Sequence, residues 1–210
     1  MMYMKNVELT YLGGSCFILV TDDAVLVFDY TYDPLRRLPY VLSQHPGIPV
    51  IFLVSQADSR SFSPEIFSTG EMRQRYFVIP GQGRCGCSSD SCQISPVSDG
   101  SVLPDLPGGV SVTAFGNTAD GYGFLVTTQS HLTIYHTPLP NPGILEGTAA
   151  GSIDIAIIHA SASRSTAVEA STMQLLERVP IRHIYPVGLT LPPQRSDQLP
   201  TLYTTTTLQL

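Results

Sequence analysis

The segment from Pro49 to Phe67, PVIFLVSQADSRSFSPEIF, constrains the fold more than any other part of the chain. Pro49 to Val54 is an unbroken apolar run, which suits a strand covered on both faces and is too short for a helix. The chain then turns polar from Ser55 to Ser61, with Ala57 the exception. Ser63-Pro64-Glu65 follows as a cap and first-turn proline, predicting a helix over 64–75. A strand buried on both faces needs strand neighbours at its sides and covering layers above and below, so this segment asks for a layered α/β or α+β domain. In such sheets the loop leaving a strand's carboxyl end is where ligands and catalytic groups gather.

The rest of the chain supplies the other layers. VELTYLGGSCFILVTDDAVLVFDY reads as three short strands, the last two a hairpin turned at TDDA. Asp29 closes the third strand and has two readings, a turn-initiating carboxylate or a group serving a site. Leu35, Leu38, Val41 and Leu42 repeat at near-helical spacing, predicting a short helix over 34–43, and His45 before Pro46 reads as a solvated loop residue. RYFVIPG is another buried strand. Residues 81–109 then form a long Gly/Ser/Pro/Asp-rich region with short strands at Gln93–Ile94 and Ser101–Leu103. Strands at 110–115, 122–128 and 131–136 make a meander. A buried strand at 153–158, a helix over about 164–178 and a last strand in IRHIYPVGL complete the order. His159 closes its strand where it could face a site, and His183 reads as a surface residue.

Four fragments in this order resemble the metallo-β-lactamase superfamily with its ligands exchanged. In that family the buried strand runs into Ser/Thr-His-x-His-x-Asp-His; the same places here hold Ser55, Gln56, Ala57, Asp58, Ser59, Arg60 and Ser61. The family's opening Leu-Gly-His-Ser has Gly14 for its His, and Asp29 stands where the family has a strand-end Asp that supports the site without touching the metal. A Gly-Ser-Thr-Asp-x-Gly turn is echoed in Gly116, Asn117, Thr118, Asp120 and Gly121. The strand ending in His-Ala-Gly-Asp-Leu-Asn keeps His136 and Asn141 but has Leu139 for the Asp that bridges two metals, and the final Pro-x-His is Pro186, Val187, Gly188.

The resemblance spans about residues 7–190. It implies an αββα sandwich, two mixed sheets packed face to face with helices outside, as one domain over 1–190, followed by a Pro-rich connector and tail over 191–210. The family's chemistry is metal-dependent hydrolysis, which needs imidazole and carboxylate donors about 2 Å from the ion. Gln56 is a poor ligand, Ser61 a weak one, Arg60 a fixed cation, and Leu139 and Gly188 offer no donor at all. Asp58 alone keeps coordinating ability in that loop, so the expectation is a site without metal or other cofactor. Arg60 has two readings, a guanidinium neutralising Asp29, Asp58 and Asp120, or a loop arginine pointing to water.

With 210 residues, 43% apolar and 13% charged, the chain is long and apolar enough for one globular domain. A net charge of −6, with 11 Lys and Arg and no cluster beyond Arg36-Arg37, argues against a nucleic-acid surface. No apolar run approaches the roughly 20 residues of a membrane helix, and the first residues hold no apolar core of signal-peptide length, so the expectation is a soluble, cytoplasmic protein. Cys85, Cys87 and Cys92 lie in GQGRCGCSSDSC, read either as a small metal clip or as reduced thiols, and Cys16 as a core residue. TLYTTTTLQL has strong strand propensity, which predicts that it docks on this domain or on a neighbouring chain. Three functions fit: a catalytically inactive structural or protein-interaction component, a hydrolase rebuilt around Asp58, Asp120, His136 and His159, or a small-ligand binder using the emptied pocket.

Overall fold

Two β-sheets, each antiparallel on one side and parallel on the other, absorb the apolar runs. The computed structural model describes residues 6–57, 62–63, 66, 75–81, 92–140, 143, 151–160, 165–189, 191 and 197–210. The first sheet takes β1 (Asn6–Gly13), β2 (Cys16–Val20), β3 (Val25–Phe28), β4 (Val50–Leu53), β5 (Arg75–Pro80), β6 (Cys92–Val97) and, from the far end of the chain, β13 (Thr205–Gln209). Their spatial order is β13-β1-β2-β3-β4-β5-β6. The second sheet takes β7 (Val102–Leu106), β8 (Val110–Asn117), β9 (Gly121–Thr127), β10 (Thr133–Thr137), β11 (Ile153–His159) and β12 (Ile181–Val187), in the order β12-β11-β10-β9-β8-β7. In each sheet the hairpin-linked strands pair antiparallel, and pairing turns parallel at β3–β4 and at β10–β11.

Burial follows from this layering. β2, β3 and β4 are buried at every residue, as strands covered on both faces must be. One face of the first sheet meets the second sheet through Leu9, Phe17, Leu26, Phe28, Ile51, Val112, Phe124 and Ile155. Its other face, with Ile18, Val27 and Phe52, packs on Leu38, Val41 and Leu42 of the helix α1 (Arg37–Gln44). The outer face of the second sheet, with Tyr135, Ala156 and Ile158, packs on Val168 and Leu175 of α2 (Ser165–Arg178). This is the αββα sandwich that the resemblance implied. Among the described residues, no helix is long and apolar enough to cross a membrane.

Where the elements differ from the sequence reading, local chemistry explains it. α1 begins at Arg37, three residues later than expected, because the Asp33 carboxylate accepts from the Arg37 and Leu38 N–H groups at 2.8 and 2.7 Å. Pro39 then falls in the first turn, where its missing N–H costs no helical hydrogen bond. The short strand at Gln93–Ile94 lengthens to Cys92–Val97 and that at Ser101–Leu103 becomes Val102–Leu106, despite Pro96 and Pro104. Both strands lie at sheet edges, which tolerate a residue without a donor. The tail docks on this domain: β13 pairs antiparallel with β1, Asn6 opposite Gln209 and Thr10 opposite Thr205. All of the 64–75 helix prediction except Ile66 and Arg75 lies outside the described residues.

Candidate functional site

The parallel strands of the two sheets end along one seam. β3 passes into Asp29 and β4 into Ser55 from the first sheet, while β10 brings His136 and β11 ends on His159 from the second. The Tyr122 N–H donates to the Ser55 carbonyl at 2.8 Å, joining the sheets at this point. Asp29 has φ 47°, a left-handed conformation that aspartate tolerates better than most residues, and its N–H donates to the Leu53 carbonyl at 2.9 Å. That bend turns its carboxylate into the protein, where it is 0% exposed. Its two oxygens accept from the Ser55 N–H at 2.7 Å and the Ser55 hydroxyl at 2.8 Å.

Two histidines face the same carboxylate. His136 Nε2 lies 3.8 Å and His159 Nε2 3.7 Å from Asp29 Oδ2, both too far for a hydrogen bond. The His136 ring is stacked on Phe28 with centroids 4.6 Å apart, and its centroid is 4.8 Å from that of His159. His136 Nε2 is also 3.4 Å from the Ser15 carbonyl oxygen, while His136 Nδ1 and His159 Nε2 are buried without a hydrogen-bond partner. Burial, and then the neighbouring His159, hold the His136 pKa well below the ordinary imidazole value, against the pull of the Ser15 carbonyl. Burial lowers that of His159 to about 4. Both rings are therefore neutral near pH 7. One carboxylate oxygen and two imidazole nitrogens lie within 4.8 Å of one another.

The remaining candidates take other places. Gly14 is in the β1–β2 turn with φ 55°. Gln56 is half-buried and, with Ser55, Ala57, Pro80, Thr118, Ala119 and Tyr122, lines a cavity of about 260 Å³. Asp120 does not join the donor group around Asp29. Asn117 accepts from the Ala119 and Asp120 N–H groups at 2.8 and 2.9 Å and donates to the Asp120 carboxylate at 3.0 Å, which holds that carboxylate in the β8–β9 turn. Leu139 is 39% exposed, in a turn closed by the Thr137 hydroxyl. Gly188 has φ 68°, and a Cβ there would lie 2.6 Å from the Ala160 carbonyl oxygen.

His183, read as a surface residue, is partly exposed, and its Nδ1 lies 3.3 Å from Asp197, which also accepts from the Ile184 N–H. His45 pairs with Glu8 at 3.6 Å. Cys16 is free and buried, and Cys92 is disulfide-bonded, which removes Cys92 both from a thiolate clip and from the reduced thiols. Asp58, Arg60, Ser61, Cys85 and Cys87 lie outside the described residues, so the Arg60 pairing falls there too. What the sequence reading did not see is that Asp29 meets both histidines. The available signal was that all three stand at or near the carboxyl ends of buried strands.

Three of the positions at which the resemblance places metal ligands carry no strong donor. Gln56, Leu139 and Gly188 present an amide, an outward isobutyl group and no side chain, and the Ala160 carbonyl occupies the space that a side chain at 188 would need. No protein-family model matches the chain, and neither does any curated protein. Solved structures do match. A metallo hydrolase from the hyperthermophilic archaeon Ignicoccus hospitalis superposes with TM-score 0.66 at 13% identity, covering 98% of this chain and 99% of the other. CmlA, a diiron β-hydroxylase from Streptomyces venezuelae, gives 0.62 at 11% identity, with all of this chain spanning 55% of that one. The metallo-β-lactamase fold protein YhfI from Bacillus subtilis gives 0.56 at 10%, covering 90% and 87%. The chain thus has the metallo-β-lactamase fold.

Proposed function

We propose that this chain uses the metallo-β-lactamase fold without two-metal hydrolysis and serves as a protein-interaction component. The observation that carries the reading is at Gly188: its left-handed backbone and the Ala160 carbonyl leave no room for the side chain that would be the last ligand. Gln56 and Leu139 remove donors independently, and metal-activated attack by water needs an intact ligand set. Support for interaction comes from Tyr32, Leu35, Tyr40 and Leu202, large apolar residues left exposed. Arg37 of α1 reaches Thr205 of β13 at 3.3 Å, so the helix and tail regions that carry these residues adjoin. The partner is a protein; a net charge of −6 disfavours nucleic acid.

The test has two parts. Assays with generic ester, lactam and phosphodiester substrates should show no turnover above blank in the presence of zinc or manganese, and turnover lost in Gln56→Ala would overturn the reading. Crosslinking in cells should capture a partner through Tyr32 or Tyr40, and Tyr40→Ser should reduce that capture. The cavity of about 260 Å³ beside Gln56 supports a second reading, a small neutral ligand held by Gln56, Ser55 and Thr118. A thermal shift with one metabolite that disappears in Gln56→Ala would favour it. A cytoplasmic setting predicts a free thiol at Cys92 in rapidly alkylated cells, whereas an oxidised Cys92 places the chain in an oxidising compartment.

A further inference from the structure

We propose that Asp29, His136 and His159 form a binding site for a single divalent transition-metal ion, distinct from the loop positions that hold the ligands of the family. Three observations support it. The donor set is two imidazoles and one carboxylate, which suits zinc, iron, cobalt or nickel and not the all-oxygen preference of magnesium or calcium. The spacing is close to that of a shared ion: atoms bound to one ion at about 2.0–2.2 Å lie roughly 3–4 Å apart, Asp29 Oδ2 is 3.7 and 3.8 Å from the two Nε2 atoms, and the three donors lie within 4.8 Å of one another, so binding needs only a small inward shift of the rings. Finally, His159 Nε2 is buried, unpartnered and aimed at the carboxylate, a cost that an ion between them would remove.

The surroundings are those of a built site. The Ser55 N–H and hydroxyl fix the Asp29 carboxylate, the kind of outer hydrogen bond that orients a metal-binding carboxylate, and Phe28 fixes the plane of His136. The two histidines are unequal donors. An ion on His136 Nε2 displaces the Ser15 carbonyl contact and puts the ring proton on Nδ1, which has no acceptor, whereas His159 Nε2 gives up nothing. Asp29 and His136 are 0% exposed and the His159 side chain 14%, so an ion enters past His159. The site does not depend on the interaction reading above, since a buried ion can serve a protein that hydrolyses nothing.

The experiment strips the full chain with EDTA, dialyses it against zinc chloride or cobalt chloride, and measures bound metal by mass spectrometry and by the cobalt absorption spectrum. Expected are one equivalent in the parent and in Asp58→Ala, none in His159→Gln or Asp29→Asn, and a zinc-dependent rise in melting temperature in the first pair alone. X-ray absorption on the zinc-loaded parent, which needs no variant to fold, should show scattering from two imidazoles. A parent without stoichiometric metal, metal retained by both His159→Gln and Asp29→Asn, metal lost in Asp58→Ala, or a shell without imidazole would each overturn the proposal.

Discussion

Replacing Ser55 with Ala isolates the contact that holds the seam together. The substitution removes the hydrogen bond from the hydroxyl to Asp29 Oδ2 at 2.8 Å and leaves the 2.7 Å bond from the Ser55 N–H in place. The backbone bond from the Tyr122 N–H to the Ser55 carbonyl is also untouched, so the strand ends stay joined. Because Ser55 is 1% exposed and Asp29 0%, water does not reach the vacated position, and a carboxylate oxygen loses a donor inside the protein. A hydrogen bond to a charged group contributes about 1.5–3 kcal/mol net, and the change in side-chain volume is small, so the expected loss is about 2 kcal/mol. Urea unfolding of metal-free protein measures it as a lower midpoint at unchanged slope. Ser43→Ala serves as the control, since its hydroxyl donates to the Tyr40 carbonyl at an exposed position and should change stability by about 0.5 kcal/mol or less. A Ser55→Ala protein as stable as the Ser43→Ala control would refute the idea that Asp29 is held by this pair.

Three further outcomes follow from the same contacts. The folded pKa values of His136 and His159 lie below the unfolded value of 6.5, so the unfolded chain binds more protons as pH falls; stability in the metal-free protein is complete above about pH 6.5 and declines toward pH 4. For His159 alone the loss amounts to roughly 3 kcal/mol over that window, and equal unfolding midpoints at pH 7 and pH 4.5 would contradict it. Removing residues 201–210 exposes the β1 edge and uncovers Val7, which pairs with Leu208, so the melting temperature should fall and the shortened chain should self-associate in sedimentation. Gly188→Ala should cost about 1–3 kcal/mol from left-handed strain and the Ala160 contact, and Gly188→His should bind no extra metal; a stable, metal-binding Gly188→His would show that the ligand position is still usable.

The layered architecture was legible because burial writes itself into composition. VIFL at β4 and VLVF at β3 have no polar residue, and such runs fit only strands covered on both faces. Edge strands were less legible, since Pro96 and Pro104 look like breaks until the sheet order shows that their missing donors face no neighbour. At the site, residue type alone marks Gln56, Leu139 and Gly188 as weak donors or none. The meeting of Asp29 with His136 and His159 could not be read in that way, because those residues are separated by more than a hundred positions or lie on parallel strands whose register the sequence does not state. That register, His136 opposite Ile157 and His159 opposite Val187, decides which strand ends arrive at Asp29.

Gln56, Leu139 and Gly188 differ from Asp29, His136 and His159 in where they sit. Gln56, Leu139 and Gly188 follow strand ends in connecting segments, where a side chain can change without disturbing a sheet. Asp29, His136 and His159 are set by strand pairing, and their surroundings are core residues such as Phe28 and Phe124. A carboxylate and two imidazoles meet in the floor of the seam, whereas Gln56, Leu139 and Gly188 present an amide, an isobutyl group and no side chain. An ion in the floor would be coordinated from both sheets at once, from β3 on one side and β10 and β11 on the other. Its binding free energy would then add to the stability of the sandwich. On this fold, that is a role for metal which requires no substrate.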